Sequence, residues 1–306
     1  MNTIDKSRQR VFHLMLLLPV VVLFIFNYVP ILGIVIAFQD YQPGLGFFKS
    51  AWVGLENFKT IAILPDFMPA LKNTLMIAVF KIMGNLIFPV TFALMLNELR
   101  IKWFKKTVQT ITYLPYFLSW VVLGGILLDF LSMGNTPSDS GFLNTILMNT
   151  GLIDAPINFL GNKHLFPGTV VVSDVWKHFG YNTIVYLAAL TNINPSLYEA
   201  SSIDGAGRWK QTWHVTLPGI SPIIILMTVL SIGSILNAGF EQIFVLYSPS
   251  VYETGDIIDT LVYRLGLVNQ QFSLSAAVGL FKSVVSGILI LVSYKLADKY
   301  AGYRVF

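Results

Sequence analysis

Six stretches of the chain are apolar over about 20 residues, the length a helix needs to cross the hydrocarbon layer of a bilayer. They run from Leu14 to Phe38, Thr74 to Met95, Val108 to Phe130, Gly168 to Leu190, Pro222 to Tyr247 and Ala276 to Tyr294. Hydrocarbon offers no water to unpaired backbone groups, so runs of this length are predicted to be helices. The fourth is the least regular, because Asp174, Lys177 and His178 interrupt it. The expected fold is an all-α membrane protein with six transmembrane helices, forming one membrane domain over residues 1–306. Three longer polar segments separate the spans, Gln39 to Asn73, Leu131 to Pro167 and Ser248 to Ser275. Within the second, Gly141 to Leu147 has the half-apolar pattern of a short helix lying on the membrane surface.

Charge gives the spans a direction. Lys6, Arg8, Arg10, Arg100, Lys102, Lys105, Lys106, Arg208, Lys210, Lys295, Lys299 and Arg304 fall in one alternating set of segments. Lys49, Lys59, Lys72, Lys163 and Arg264 fall in the other, and Lys81, Lys177 and Lys282 lie inside spans. Twelve against five puts both termini in the cytoplasm, since basic residues are retained on that side. The first basic cluster resembles the start of a signal peptide, but the apolar run after it exceeds a signal's core and no small-residue cleavage site closes it, so a retained anchor is expected.

Composition supports the same class, with 55% hydrophobic and 12% charged residues and a mean hydropathy of +0.67. The net charge of +4 is accounted for by orientation in a bilayer, and no nucleic-acid partner is expected. Without cysteine there is no thiol nucleophile or Cys-ligated metal, and four scattered histidines do not suggest a metal site. The chain has no G-x-x-x-x-G-K-[ST], G-x-S-x-G, H-E-x-x-H or G-x-G-x-x-G, so it is read as non-catalytic. Any ATP hydrolysis that drives it must occur on another polypeptide.

Between the fourth and fifth spans, on the side the charges make cytoplasmic, runs Glu199-Ala-Ser-Ser-Ile-Asp-Gly-Ala-Gly-Arg-Trp-Lys-Gln-Thr-Trp-His-Val-Thr-Leu-Pro218. Ser196-Leu-Tyr-Glu199 has the spacing of a capping box and predicts a helix start. Gly205 and Gly207 tolerate the tight backbone that ends it, and Ala206 to His214 is expected to form a second short helix before Pro218 opens the fifth span. Small residues at Ala200, Ser201, Gly205 and Ala206 would let another protein's backbone come close. Simple helix capping by Glu199 and Asp204 explains why the loop folds but not that small-residue surface.

This loop resembles the EAA signature of the membrane subunits of binding-protein-dependent ABC importers, E-A-A, two residues, D-G-A, eight residues, I-x-L-P. Glu199, Ala200, Asp204, Gly205, Ala206, Leu217 and Pro218 match, Val215 stands at the isoleucine position, and Ser201 replaces the second alanine. The resemblance implies a type I ABC importer permease fold, with residues 191–219 as a coupling loop. It also implies ATPase docking through Glu199, Ala200, Ser201, Asp204, Gly205, Ala206, Arg208, Leu217 and Pro218. Val53-Gly-Leu-Glu-Asn-Phe58, Asn73-Thr74, Gly141-Phe-Leu-Asn144, Leu236-Asn-Ala-Gly-Phe-Glu-Gln-Ile-Phe244 and Asp256-Ile-Ile-Asp-Thr260 are similar to segments of permeases for sugars and polysaccharide-derived oligosaccharides. The partners so implied are a second homologous permease, two ATPase subunits that carry ATP and magnesium, an extracytoplasmic solute-binding protein and a carbohydrate, all at the bacterial cytoplasmic membrane. No cofactor is expected on this chain.

Polar groups inside spans are costly and mark a water-filled path or one another. The candidates are Lys81, Asn85, Asp174, His178, Asn237, Glu241, Gln242 and Lys282, with Tyr116, Trp120 and Trp176 as flat apolar surfaces for sugar rings. At helical spacing Lys81 shares a face with Asn85, Asp174 with His178, and Asn237 with Glu241. The plainer alternative makes these charges structural pairs, such as Asp174 with Lys177, and the aromatics interfacial anchors. Two other transport classes remain in view, a proton-coupled secondary sugar carrier relaying through Asp174, His178 and Glu241, and an ABC permease for a non-sugar solute. The first leaves the cytoplasmic signature unexplained.

Overall fold

The computed structural model describes residues 3–134 and 139–301. Arg304, counted above among the basic residues, lies outside them. Helix α1 (Arg8–Phe38) is a continuous apolar rod that includes a π-helical turn and a final 3-10 stretch. A two-stranded antiparallel ribbon, β1 (Gln39–Asp40) with β2 (Ala51–Trp52), and α2 (Glu56–Ile63) follow. Then come α3 (Phe67–Glu98), α4 (Lys102–Phe117), α5 (Trp120–Phe130) and α6 (Phe142–Asn149). The chain continues through α7 (Phe166–Thr191), α8 (Pro195–Ile203), α9 (Arg208–Gly233), α10 (Phe240–Leu246), α11 (Ile258–Tyr263) and α12 (Phe272–Ala301).

Four of these helices are long and apolar enough to cross a membrane: α1, α3, α9 and the Phe272–Leu296 part of α12. Two expected spans are broken. The stretch from Val108 to Phe130 is not one helix but α4 and α5, bent by 102° at Leu118–Ser119. Pro115, which cannot donate within a helix, tightens the end of α4 into a 3-10 turn, and Ser119 accepts from Val122 N to start α5 anew. The stretch from Pro222 to Tyr247 is also interrupted. α9 ends at Gly233 and α10 begins at Phe240, after Gly239 at φ 96°, a left-handed conformation natural to glycine. Asn237 therefore does not share a helical face with Glu241. α7 is a full 26-residue helix, but its polar centre keeps it from meeting the apolarity of the other four.

The chain divides into two compact units. In Met1–Leu64 with Val262–Phe281, the end of α1 meets the ribbon. Phe38 lies against Trp52 and Phe58, and the Asn57 amide donates to Ala37 O and Gln39 O at 2.9 and 3.0 Å. In Pro65–Leu261 with Lys282–Phe306, α3 packs along α7. Ile77, Ala78, Phe166, Val170 and Ile243 bury one apolar cluster, and Ala93, Tyr186, Leu190 and Ile220 a second.

Side chains that the sequence reading grouped by resemblance prove to be main-chain clips in this unit. Asn73 donates to Glu253 O and Asp256 O, each at 3.1 Å, and Thr74 accepts from Ile258 N. Asn144, fully buried on α6, donates to Ser132 O and Ile157 O and accepts from Ile157 N.

Candidate functional site

The two apolar clusters are separated along both helices by polar residues at the same spacing. On α7 every fourth residue from Phe166 reads Phe, Val, Asp174, His178, Asn182, Tyr, Leu190. One stripe is thus apolar at both ends and polar at its centre. Lys81 and Asn85 lie opposite on α3. These residues, with Ser231 on α9 and Ser234, Asn237 and Gly239 in the break after it, line a cavity of about 240 Å³.

The cavity wall is internally bonded. Lys81 Nζ lies 3.2 Å from Asp174 Oδ1 and donates to Ala238 O at 2.7 Å and to Gln242 Oε1. Its three ammonium protons have three acceptors, one of which is a carbonyl freed by the α9–α10 break. Gln242, fully buried, donates onward to Val170 O and Ser173 Oγ. Asn85 donates to Asp174 Oδ2 at 2.9 Å, and His178 Nδ1 stands 2.8 Å from Asp174 O, so that nitrogen carries the proton. Asp174 is paired with Lys81, not with Lys177 as the plainer alternative had it: the helical turn that brings Asp174 to the cavity points Lys177 elsewhere.

Beside His178 stand Tyr116 and Trp120, ring centroids 5.8 and 6.2 Å away, and Tyr116 stacks on Tyr181 at 3.8 Å. Lys177 reaches the same place from the neighbouring face of α7. It donates to Pro115 O at 3.3 Å, Tyr116 O at 3.0 Å and Leu118 O.

Three sequence candidates fall away from this cluster. Trp176 is half exposed and lines an almost wholly apolar groove of about 690 Å³ between α3 and α7. Lys282 pairs with Asp259. Glu241 is exposed in the first turn of α10 and does not line the cavity. Conversely, Asn182, Ser231 and Ser234 line the cavity and were missed. Asn182 was findable as the next step of the stripe from Asp174 and His178, whereas the serines depend on a break that apolarity concealed.

The segment after α7 is a helical hairpin with different joints from those expected. Asn194, not Ser196, caps α8, accepting from Ser196 N at 3.0 Å, because Pro195 takes the first helical position. At the other end Gly205 has φ 76°, with Ala206 N donating to Ser201 O and Gly205 N to Ser202 O, the paired bonds of a left-handed helix terminus. Gly207 is extended and begins α9 in place of Asp204. No separate helix runs from Ala206 to His214, since α9 continues through Pro218 to Gly233. A π turn over Thr212–Thr216 ends two residues before Pro218 and widens the helix where the proline ring would meet a carbonyl.

The hairpin is stapled internally. Gln211 Nε2 donates to Ser201 Oγ and Ser202 Oγ, and Tyr198 Oη lies 3.0 Å from Thr216 Oγ1. Ser201 thus faces the other arm, not the exterior. Glu199, Ala200, Asp204, Gly205, Arg208 and Pro218 are exposed, while Ala206 and Leu217 are partly covered. Arg208 pairs with Glu98 at the end of α3, 3.0 Å apart. Ile203 at the tip is 87% exposed, beside exposed Trp209 and Trp213. No signal in the alanine and glycine pattern marked those three.

A bundle with several membrane-crossing helices, a polar cavity within it and an exposed, rigid hairpin defines a polytopic membrane protein of the transport class. The family model described as binding-protein-dependent transport system inner membrane component matches residues 89–301, and the chain belongs to that family. It is 42% identical to the polygalacturonan/rhamnogalacturonan transport system permease protein YteP of Bacillus subtilis (strain 168), over 99% of this chain and 92% of that one. It is 30% identical to the arabinooligosaccharides transport system permease protein AraP of the same organism, over 91% and 85%. A solved structure, that of a bacterial ABC transporter involved in the import of the acidic polysaccharide alginate, superposes with a TM-score of 0.85 at 37% identity over 97% of this chain and 98% of that one. The chain is therefore a multi-pass, non-catalytic permease subunit of an ABC importer.

Proposed function

We propose that this permease forms half of the membrane path for an oligosaccharide, lined by the cavity residues of α3, α7 and the α9–α10 break, and is coupled to a separate ATPase through the α8–α9 hairpin. Residues 1–306 act as one membrane domain crossing six times, with both termini in the cytoplasm. α4–α5 and α7 supply the third and fourth crossings and α9–α10 the fifth. The complete importer contains a second homologous permease and two ATPase subunits, which bind ATP and magnesium, while this chain binds no cofactor. An extracytoplasmic solute-binding protein delivers the sugar. The names of the relatives, which concern polygalacturonan, arabinooligosaccharides and alginate, support a polysaccharide-derived substrate. A structure of the alginate transporter in complex with an alginate pentasaccharide-bound periplasmic protein supports such delivery.

The observation that carries this reading is the continuity of α9. Its 26 residues span about 39 Å at the helical rise and join the hairpin directly to Ser231 and Ser234 at the cavity. ATP-driven closure of the ATPases would move the hairpin and, through α9, reshape the cavity between inward-open and outward-open states. Hydroxyl-rich substrates suit Asn85, His178, Asn182, Ser234 and Asn237, with Tyr116 and Trp120 nearby for the faces of sugar rings.

The test is Gly205→Glu in the reconstituted importer. A side chain at this left-handed, exposed position should stop ATP-dependent oligosaccharide uptake while the chain still inserts. Unchanged uptake would remove the docking role, and uptake driven by a proton gradient without ATPase would remove the importer reading itself.

A further inference from the structure

The 102° bend between α4 and α5 breaks a span and interrupts the helical bonding of carbonyls at the end of α4, where only Pro115 O keeps a backbone partner, Leu118 N at 3.3 Å. Its far side is capped by Ser119. Its near side is capped by a cation: Lys177 Nζ donates to Pro115 O, Tyr116 O and Leu118 O, which uses all three ammonium protons. The same ammonium lies 5.3 Å from the Trp120 ring centroid and 5.9 Å from that of Tyr116, within cation–π range. Lys177 is only 5% exposed and is not among the residues lining the polar cavity. It is therefore not a free charge awaiting a substrate. A positive charge at a helix C-terminus is also favourable, and unmet carbonyls in a bilayer are not.

We propose that Lys177 is a positioning residue for transport, a main-chain clamp that holds the Leu118–Ser119 bend and with it the Tyr116 and Trp120 rings against His178 at the cavity wall. The inference rests on the reading of that cavity as the sugar path. Tyr116 and Trp120 flank the break on either side, one on each arm of the bend. Releasing Lys177 frees both arms at once, whereas removing either ring alone would leave the bend intact.

The chain has no cysteine, so Leu118→Cys, at a partly buried position within the break, provides one reporter in the full-length protein. Its labelling by a membrane-impermeant maleimide should be slow in the parent. Lys177→Met should speed it by about tenfold, the loss of roughly one charge-assisted hydrogen bond after water replaces the others. Lys177→Arg, which keeps a cation with several donors, should restore the slow rate. In the reconstituted importer Lys177→Met should also lower the oligosaccharide moved per ATP hydrolysed by about tenfold, with recovery in Lys177→Arg. A merely structural defect would reduce uptake and hydrolysis in proportion and leave that ratio alone. The clamp is overturned by unchanged labelling in Lys177→Met, by an unchanged ratio, or by an arginine variant as impaired as the methionine one. Labelling is read on the chain in the membrane, so it decides the matter even where a variant does not assemble. Failure of the parent importer to move any oligosaccharide would instead refute the path reading, leaving the labelling result to stand by itself.

Discussion

Removing Lys81 tests how the cavity wall is held together. Lys81 is 7% exposed and serves Asp174, Ala238 O and Gln242 Oε1 at once. Lys81→Met keeps the length and apolar stem but leaves Asp174 with only Asn85 and His178 as partners. Stranding one member of a buried pair costs about 3–5 kcal/mol. In Lys81→Met/Asp174→Leu the stranded charge is gone, but Ala238 O and Gln242 Oε1 still lack a donor, which costs about 1–3 kcal/mol. The double variant should thus regain about 2 kcal/mol over the lysine variant, a factor of roughly 30 in the unfolding equilibrium, without reaching the parent. Unfolding of the purified chain in mixed micelles with rising SDS measures all four members of the cycle. Additive losses would refute the pairing. Full recovery would show that the hold on the Ala238 carbonyl contributes nothing.

Two further outcomes follow from contacts outside the cavity. Asn144→Ala, which releases three main-chain bonds at the buried edge of α6, should destabilise the segment around α6 by about 1–3 kcal/mol and speed proteolysis between Ser132 and Ile157; an unchanged cleavage rate would deny α6 that anchorage. Glu253 is held below its ordinary carboxylate value of 4.5 by hydrogen bonding and attraction to Lys163, 2.8 Å away. A depressed carboxylate contributes stability that is present above its unfolded value and lost as pH falls through the folded one, so Lys163→Gln should differ from the parent at neutral pH and converge with it in acid. A difference that persists at low pH would exclude this pair as the cause.

What was legible in the sequence follows from how local each cause is. Apolar length located α1, α3, α12 and the second half of α9, because crossing hydrocarbon is a requirement on consecutive residues. Spacing of four placed Asp174 with His178 and Lys81 with Asn85, since a helical face is fixed by the helix alone. The two breaks were hidden because their flanks are as apolar as the helices they interrupt. What marks them is tertiary: Lys177 and Lys81 arrive from other helices to take the freed carbonyls. For the same reason the sequence offered Lys81 as a path candidate and Lys177 only as a possible partner of Asp174. A helix–turn–helix segment was legible around the motif, but the inward turn of Ser201 depends on Gln211, ten residues away on the opposite arm.

The joint expected at Pro218 would have changed the mechanics. A short helix ending there would let movement of the hairpin dissipate in a loop before it reached the membrane. Instead, the π turn absorbs the proline, and the rod runs unbroken from Arg208 to Gly233. At its lower end the Gln211 and Tyr198 contacts fasten α8 to it, so force on either arm is delivered to the same helix. At its upper end the rod stops at Gly233 and is followed by the Ser234–Gly239 break, where glycine at φ 96° ends the break and Lys81 holds the preceding carbonyl. A stiff lever that ends in a glycine joint moves that joint first, and the residues at the joint, Ser234 and Asn237, are the ones that line the cavity. Coupling in the proposed importer thus requires no long chain of side-chain rearrangements, only the continuity of α9 and the two lysines that keep the broken helices beside the path in shape.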